Sequence, residues 1–218
     1  MREAYQTELD GIFLDLAAMC RKVERAVADA TTALTDADAS VAERVISADV
    51  EIDEARDIIE DKAFNLIAQQ QPVATDLRIV VAALRMVSEL ERMGDLSVHV
   101  AKIARLRVPQ NAVPAPLAGL FGSMSEVAKD MTERVRQVIL TQDVEAAIAL
   151  GKDDEEMDRL RRQSFAELLE GEWEHGVESA VDVALLGRYY ERISDHAVSV
   201  ANRVVFVVTG HYPEAANA

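Results

Sequence analysis

Apolar residues recur every three or four positions along most of the chain, with polar residues filling the positions between them. From about Glu3 to Thr35, Leu9, Ile12, Phe13, Leu16, Met19, Val23, Val27, Ala30 and Leu34 trace one face of a long amphipathic helix. Thr35-Asp36-Ala37-Asp38-Ala39-Ser40 then offers several capping side chains and predicts a turn. A second helix runs to about Gln70 through Val41, Val45, Ile52, Ile59, Ala63 and Leu66, and its polar face is strongly acidic. Gln69-Gln70-Gln71-Pro72 ends it, because the residue before a proline avoids the helical region. Thr75 or Asp76 is expected to cap a third helix, which carries Ile79, Leu84, Val87, Leu90, Met93 and Val100 to about Leu106.

Val108 to Pro116 contains Pro109, Pro114 and Pro116, which exclude a continuous helix and mark a boundary. Residues 1–108 are therefore read as one unit, 109–116 as a linker and 117–210 as a second unit. The second unit repeats the plan. A fourth helix covers about Leu117 to Thr141, and Thr141 or Asp143 caps a fifth that extends to about Leu169. Gly171, His175 and Gly176 occupy the next turn, a sixth helix runs from about Ser179 to Thr209, and Gly210 to Ala218 reads as a frayed tail. The predicted fold is all-α: two tandem, pseudo-symmetric three-helix bundles built from long antiparallel helices.

Composition agrees, since half the residues are hydrophobic while only 5% are aromatic, a mixture suited to helices packed through aliphatic side chains. The formal net charge of −16 would repel phosphates over most of the surface and argues against a nucleic-acid partner. It suits cations or a basic protein. Cys20 is the sole cysteine, which precludes an internal disulfide and points to a reducing compartment. The polar N-terminus and the lack of any apolar stretch near the ~20 residues needed to span a bilayer predict a cytoplasmic protein with no membrane insertion.

The chemistry sits in a repeated stretch. Glu91-Arg92-Met93-Gly94-Asp95 on the third helix returns as Glu191-Arg192-Ile193-Ser194-Asp195 on the sixth. Likewise Asp49 and Asp53 on the second helix are matched by Asp154 and Asp158 on the fifth. Carboxylates four residues apart on a helix share a face, and like charges there cost roughly 0.2–0.5 kcal/mol. A chain with 39 acidic residues contains roughly seven such pairs by chance, so a single pair means little and only the repetition informs. Helices joined by a short turn run antiparallel, and residue counts to the turn near Gln71 put Asp49, Asp53, Glu91 and Asp95 at one height. Asp154, Asp158, Glu191 and Asp195 form the corresponding set, where the counts to Gly171 match less well and a looser convergence is expected.

Four converging carboxylates repel one another unless protonated or bridged by cations, and an all-oxygen set suits hard ions such as Mg²⁺, Mn²⁺ or iron. Arg56, Arg92, Arg159, Arg161 and Arg192 are the competing explanation, as partners that neutralise a charged surface. His99 and His196 follow the motif aspartates and are secondary candidates. A di-metal oxidase or metal-storage bundle would use Glu-x-x-His pairs on interior helices. The sole such sequence, Glu172-Trp173-Glu174-His175, is flanked by glycines in a turn. A purely structural helical scaffold is the remaining alternative. No Gly-rich phosphate loop and no nucleophile with a His–Asp context is present, so the chain reads as non-enzymatic.

The segment Leu66-Ile67-Ala68-Gln69-Gln70-Gln71-Pro72-Val73-Ala74-Thr75-Asp76-Leu77-Arg78, leading to Leu90-Glu91-Arg92-Met93-Gly94-Asp95, resembles the PhoU family of phosphate-signalling regulators. Tyr190-Glu191-Arg192-Ile193-Ser194-Asp195-His196 resembles the second repeat of that family, and the similarity extends from about Tyr5 to Gly210. The resemblance implies two symmetric three-helix bundles that bind metal ions or small iron clusters through the paired carboxylates. It also implies a negative regulator of the phosphate-starvation response, a homodimer that links the ATPase of a phosphate ABC transporter to a sensor histidine kinase. The implied metal ligands are Asp49, Asp53, Glu91, Asp95, Asp154, Asp158, Glu191 and Asp195. The chain departs from the family pattern at Ser194, where the first repeat has Gly94, and at Gln69-Gln70 in place of a more basic pair.

Overall fold

A computed structural model describes residues 2–169 and 173–213. Six long helices make up the described chain: α1 (Arg2–Asp36), α2 (Ala39–Gln70), α3 (Ala74–Arg107), α4 (Ala118–Thr141), α5 (Val144–Leu169) and α6 (Gly176–Thr209), with a short 3₁₀ turn at Ala115–Leu117. Among the described residues none is in a strand, and no helix is long and apolar enough to cross a membrane. Gly171, Glu172 and the last residues of the tail lie outside the described residues.

The helix ends follow local chemistry. Asp38 Oδ1 accepts from the backbone N–H groups of Ser40 and Val41 and starts α2, and Asp143 Oδ1 accepts from Glu145 and Ala146 to start α5. Each cap satisfies donors that have no partner inside the helix. Thr141 does not cap α5; its hydroxyl donates back to the Gln137 carbonyl. Helix α2 closes at Gln71, held in the left-handed region at φ 48° with its N–H on the Ile67 carbonyl. The expected side-chain cap of α3 is absent. Val73 occupies the capping position without a side-chain hydrogen bond, and the Asp76 N–H is satisfied by the Val73 carbonyl. The Gln71-Pro72-Val73 turn supplies that carbonyl, so a backbone group takes one of the donors that a side-chain cap would have taken.

Helices α1, α2 and α3 pack on one another, as do α4, α5 and α6, giving two tandem three-helix bundles. They share one core, because α3 also packs along α6 and α1 against α4. Helices α2 and α5 lie outside, each against its own bundle. Four central helices are thus flanked by two acidic ones. Helix α3 runs antiparallel to α6: Arg107 at its end binds Asp182 near the start of α6, while Arg78 near its start lies over Phe206 near the end of α6. Inside this seam the Tyr190 hydroxyl and Thr31 Oγ1, on α6 and α1, are 3.1 Å apart in a fully buried hydrogen bond. Met19, Met86, Met93, Met124 and Met131 are wholly buried, their flexible side chains filling the irregular gaps of a core poor in aromatics.

Candidate functional site

On the outer face of each bundle two helices run antiparallel and bring the repeated carboxylates together. In the first repeat Arg56 of α2 bridges to Asp53 at 3.4 Å and to Glu91 of α3 at 3.3 Å, which fixes the register of the two helices. Gly94 lets them approach. A Cβ at that position would stand 2.9 Å from Ile52 Cδ1 and 3.7 Å from Asp49 Oδ1. Asp49 is pushed above the ordinary carboxylate range, first by burial and then by the negative charges of Asp95 and Asp53, with Lys102 and His99 opposing. Glu91 is raised as well, by burial and by Asp95 and Asp53, against Arg92 and Arg56. Asp53 and Asp95 thus act on both Asp49 and Glu91.

The second repeat differs from the first in burial: Glu191 is buried where Glu91 is only partly so. Asp154 is raised to about 6 by burial and by the charges of Asp195, Asp158 and Glu191. Its Oδ1 is buried without a hydrogen-bond partner. Asp195 is raised by burial and by Glu191 and Asp158, with Arg188 and His196 opposing. Glu191 is itself buried, held between Arg188 and Arg161, the latter at 3.3 Å. Ser194, the departure from glycine, is accommodated because its hydroxyl donates to the Tyr190 carbonyl of its own helix. At the position of Ile52, one register of 105 residues later, stands the pliable Met157.

Within each set carboxylates of the two helices act on one another electrostatically, with arginines over part of each set. Arg92 binds Asp95 at 3.0 Å and Arg162 approaches Asp158 at 3.8 Å. Among the described residues Asp49, Asp154 and Asp195 enter no ion pair. No three His, Cys, Asp or Glu side chains among the described residues stand in ligand geometry around a common point. The arrangement is a cluster of mutually repelling carboxylates rather than a closed cage. Its donor chemistry still fits a hard cation: the set is all oxygen, the carboxyls are raised by mutual repulsion, and Asp154 Oδ1 is orphaned.

The histidines divide. His196 Nδ1 lies 2.7 Å from Glu89 Oε2 across the α3/α6 seam, a partner that the periodicity did not single out. His99 stacks on Tyr189 with ring centroids 5.3 Å apart. Trp173 donates to the Gly176 carbonyl and meets the His175 ring edge-on at 5.0 Å, so these two side chains shape the start of α6. Glu172, the remaining member of that Glu-x-x-His sequence, lies outside the described residues. Arg188 and Glu89 are the contributors that sequence reasoning missed. Their signal was position: Arg188 precedes Glu191 by three residues, the spacing of an ion pair on one helix face.

Comparison with known proteins places this geometry. The family model described as "PhoU domain" matches the chain twice, over residues 16–104 and 121–204, one match on each repeat. The chain is 46% identical over 213 residues to "Phosphate-specific transport system accessory protein PhoU homolog 2" of Mycobacterium tuberculosis, covering 98% of this chain and 100% of that protein. It is 44% identical to "Phosphate-specific transport system accessory protein PhoU homolog 1" of Mycobacterium leprae, with 98% and 96% covered. Among solved structures it is similar to PhoU from Pseudomonas aeruginosa, with a TM-score of 0.86 and 27% identity over 95% of this chain and 100% of that one. The phosphate transport system regulatory protein PhoU from Streptococcus pneumoniae shares the fold, with a TM-score of 0.87 and 22% identity, over 96% and 99% of the two chains. With both repeats matched and relatives aligned along essentially their whole length, the chain belongs to the PhoU family.

Proposed function

We propose that this chain is a non-catalytic, cytoplasmic accessory regulator of a phosphate-specific transport system. It holds the phosphate-starvation response off when phosphate is plentiful, by coupling the transporter's ATPase to a sensor histidine kinase. The observation that carries the reading is the full-length match, through both repeats, to relatives named as accessory proteins of phosphate-specific transport. The absence of a phosphate loop from the sequence and the acidic surface agree with an adaptor rather than an enzyme acting on phosphate esters.

Within that role the carboxylate sets are the metal sites. Asp49, Asp53, Glu91 and Asp95 would hold one group of divalent cations or iron, and Asp154, Asp158, Glu191 and Asp195 the other. A bound cation supplies the positive charge that the repelling carboxyls lack. The chain's own residues present oxygens from two antiparallel helices, and Arg56, Arg161 and Arg188 hold Glu91 and Glu191 in place. Removing the gene from its host should derepress a phosphate-starvation reporter in phosphate-rich medium, and restoring the intact chain should silence it. Unchanged repression after deletion would overturn the reading.

A further inference from the structure

The carboxylates are not the only feature that occurs twice. On the solvent side of α3, Leu77 and Val81 are exposed, and 100 residues later Val177 and Val181 are exposed on α6. That is the same offset as Glu91 to Glu191. On the outer helices Phe64 and Leu169 are exposed, 57% and 79%, at the 105-residue offset of the aspartate pairs. The register fixed by Arg56 on Glu91 sets Phe64 level with Val81, and that of Arg161 on Glu191 sets Leu169 beside Val181. Each bundle therefore presents one apolar ridge of three side chains near the tip of its outer hairpin.

Single exposed apolar residues need no explanation. Three on one ridge, repeated at both offsets, do. The surroundings are acidic in both copies. Glu60, Asp61 and Asp76 border the first ridge, and Glu167, Glu174 and Glu178 the second. Three of the nearby cations are engaged elsewhere, Lys62 with Asp15, Arg78 over Phe206 and Arg107 with Asp182, while Arg85, one turn past Val81, stands exposed at the inner end of the first ridge. Because α3 and α6 are antiparallel, the ridges lie at opposite ends of the seam. Leu77 is level with Phe206, which lies about twenty-nine residues along α6 from Val177, so the ridges are roughly 43 Å apart.

We infer that the two ridges are equivalent docking surfaces for two copies of one protein segment, apolar with basic flanks, presented by a two-fold symmetric partner. Resting on the function proposed above, that partner is the dimeric ATPase of the transporter. Two identical subunits across a two-fold axis offer the same segment twice, which a pseudo-symmetric chain can meet with both repeats at once. Aliphatic ridges supply the contact area and acidic borders the orientation. Simultaneous engagement makes the second contact intramolecular, so losing one ridge removes the avidity as well as its own contacts.

The test uses the full chain and the purified ATPase subunit of its own transporter in titration calorimetry. Variants are Leu77→Glu/Val81→Glu, Val177→Glu/Val181→Glu and the combination, each checked for unchanged helicity by circular dichroism. The intact chain should bind one ATPase dimer per chain, more weakly as salt rises. Either ridge variant should lose at least about a hundredfold in affinity, as for a broken bivalent contact, and the combination should not bind. Binding of intact chain and variants with equal affinity would overturn the ridges while leaving the accessory role standing. No binding by the intact chain would overturn both. Conversion of a dimer to a monomer by the ridge variants, seen in light scattering, would assign the ridges to a second copy of this chain and refute the proposal.

Discussion

Asp154 is the most sensitive point of the carboxylate clusters, and replacing it with asparagine should stabilise the metal-free protein. Burial and three neighbouring carboxylates raise its ionisation to about 6 from the ordinary 3.8. The folded chain therefore takes up a proton that the unfolded chain releases at a lower pH. Stability from this group falls as pH rises from about 3.8 to about 6, and the full cost persists above that. Fully realised, the difference corresponds to roughly 3 kcal/mol. The side chain is only partly buried, and solvent screening of the repulsion leaves about 1 kcal/mol. The substitution sacrifices no hydrogen bond at Oδ1, since that atom of Asp154 has no partner. In chelator-treated protein, Asp154→Asn should raise the melting temperature by about 2–4 °C at pH 8 and by almost nothing at pH 4. Adding a divalent cation at pH 8 should reverse the order, because the intact cluster gains more from the ion. A variant less stable than its parent at pH 8 without metal, or a gain equal at both pH values, would refute the electrostatic account.

Other substitutions read the core. Gly94→Val forces a side chain into Ile52 and should cost about 1–3 kcal/mol in urea unfolding, whereas Ser194→Ala in the other repeat should cost under about 1 kcal/mol. Tyr190→Phe deletes a buried hydroxyl and strands Thr31, and should cost about 1–3 kcal/mol; a double cycle with Thr31→Val should recover part of it. Cys20 is fully buried and its thiol is pushed up to about 12, chiefly by burial. A thiol reagent at pH 8 should leave it unmodified in the folded protein and label it stoichiometrically in denaturant.

The six helices were legible because their apolar periodicity is long and unbroken, and Asp38 and Asp143 mark two starts by chemistry visible in the sequence. The start of α3 was not legible, because Val73 has no capping side chain and its carbonyl takes the Asp76 N–H instead. Spacing put the eight carboxylates on the facing helix pairs α2/α3 and α5/α6, where charge coupling within each set is found. It could not tell how deeply each would sit, since burial of Glu191 depends on α6 packing against α5 and not on counts to the turn. The sharing of one core between repeats was also hidden. Contacts such as Glu89 with His196 and Thr31 with Tyr190 join residues far apart in sequence, and a periodic pattern says only that a face is buried, not against what. The ridges were hidden for the opposite reason: Leu77 and Val81 look like any other apolar positions until the fold leaves them outside.

Elemental analysis of the purified protein tests the central claim most directly, set beside an Asp95→Ala/Asp195→Ala variant that removes one carboxylate from each set. The account predicts stoichiometric iron, manganese or magnesium in the parent and its loss in the variant, with helicity unchanged. Metal absent from the parent after growth in metal-replete medium, or retained equally by the variant, would contradict it.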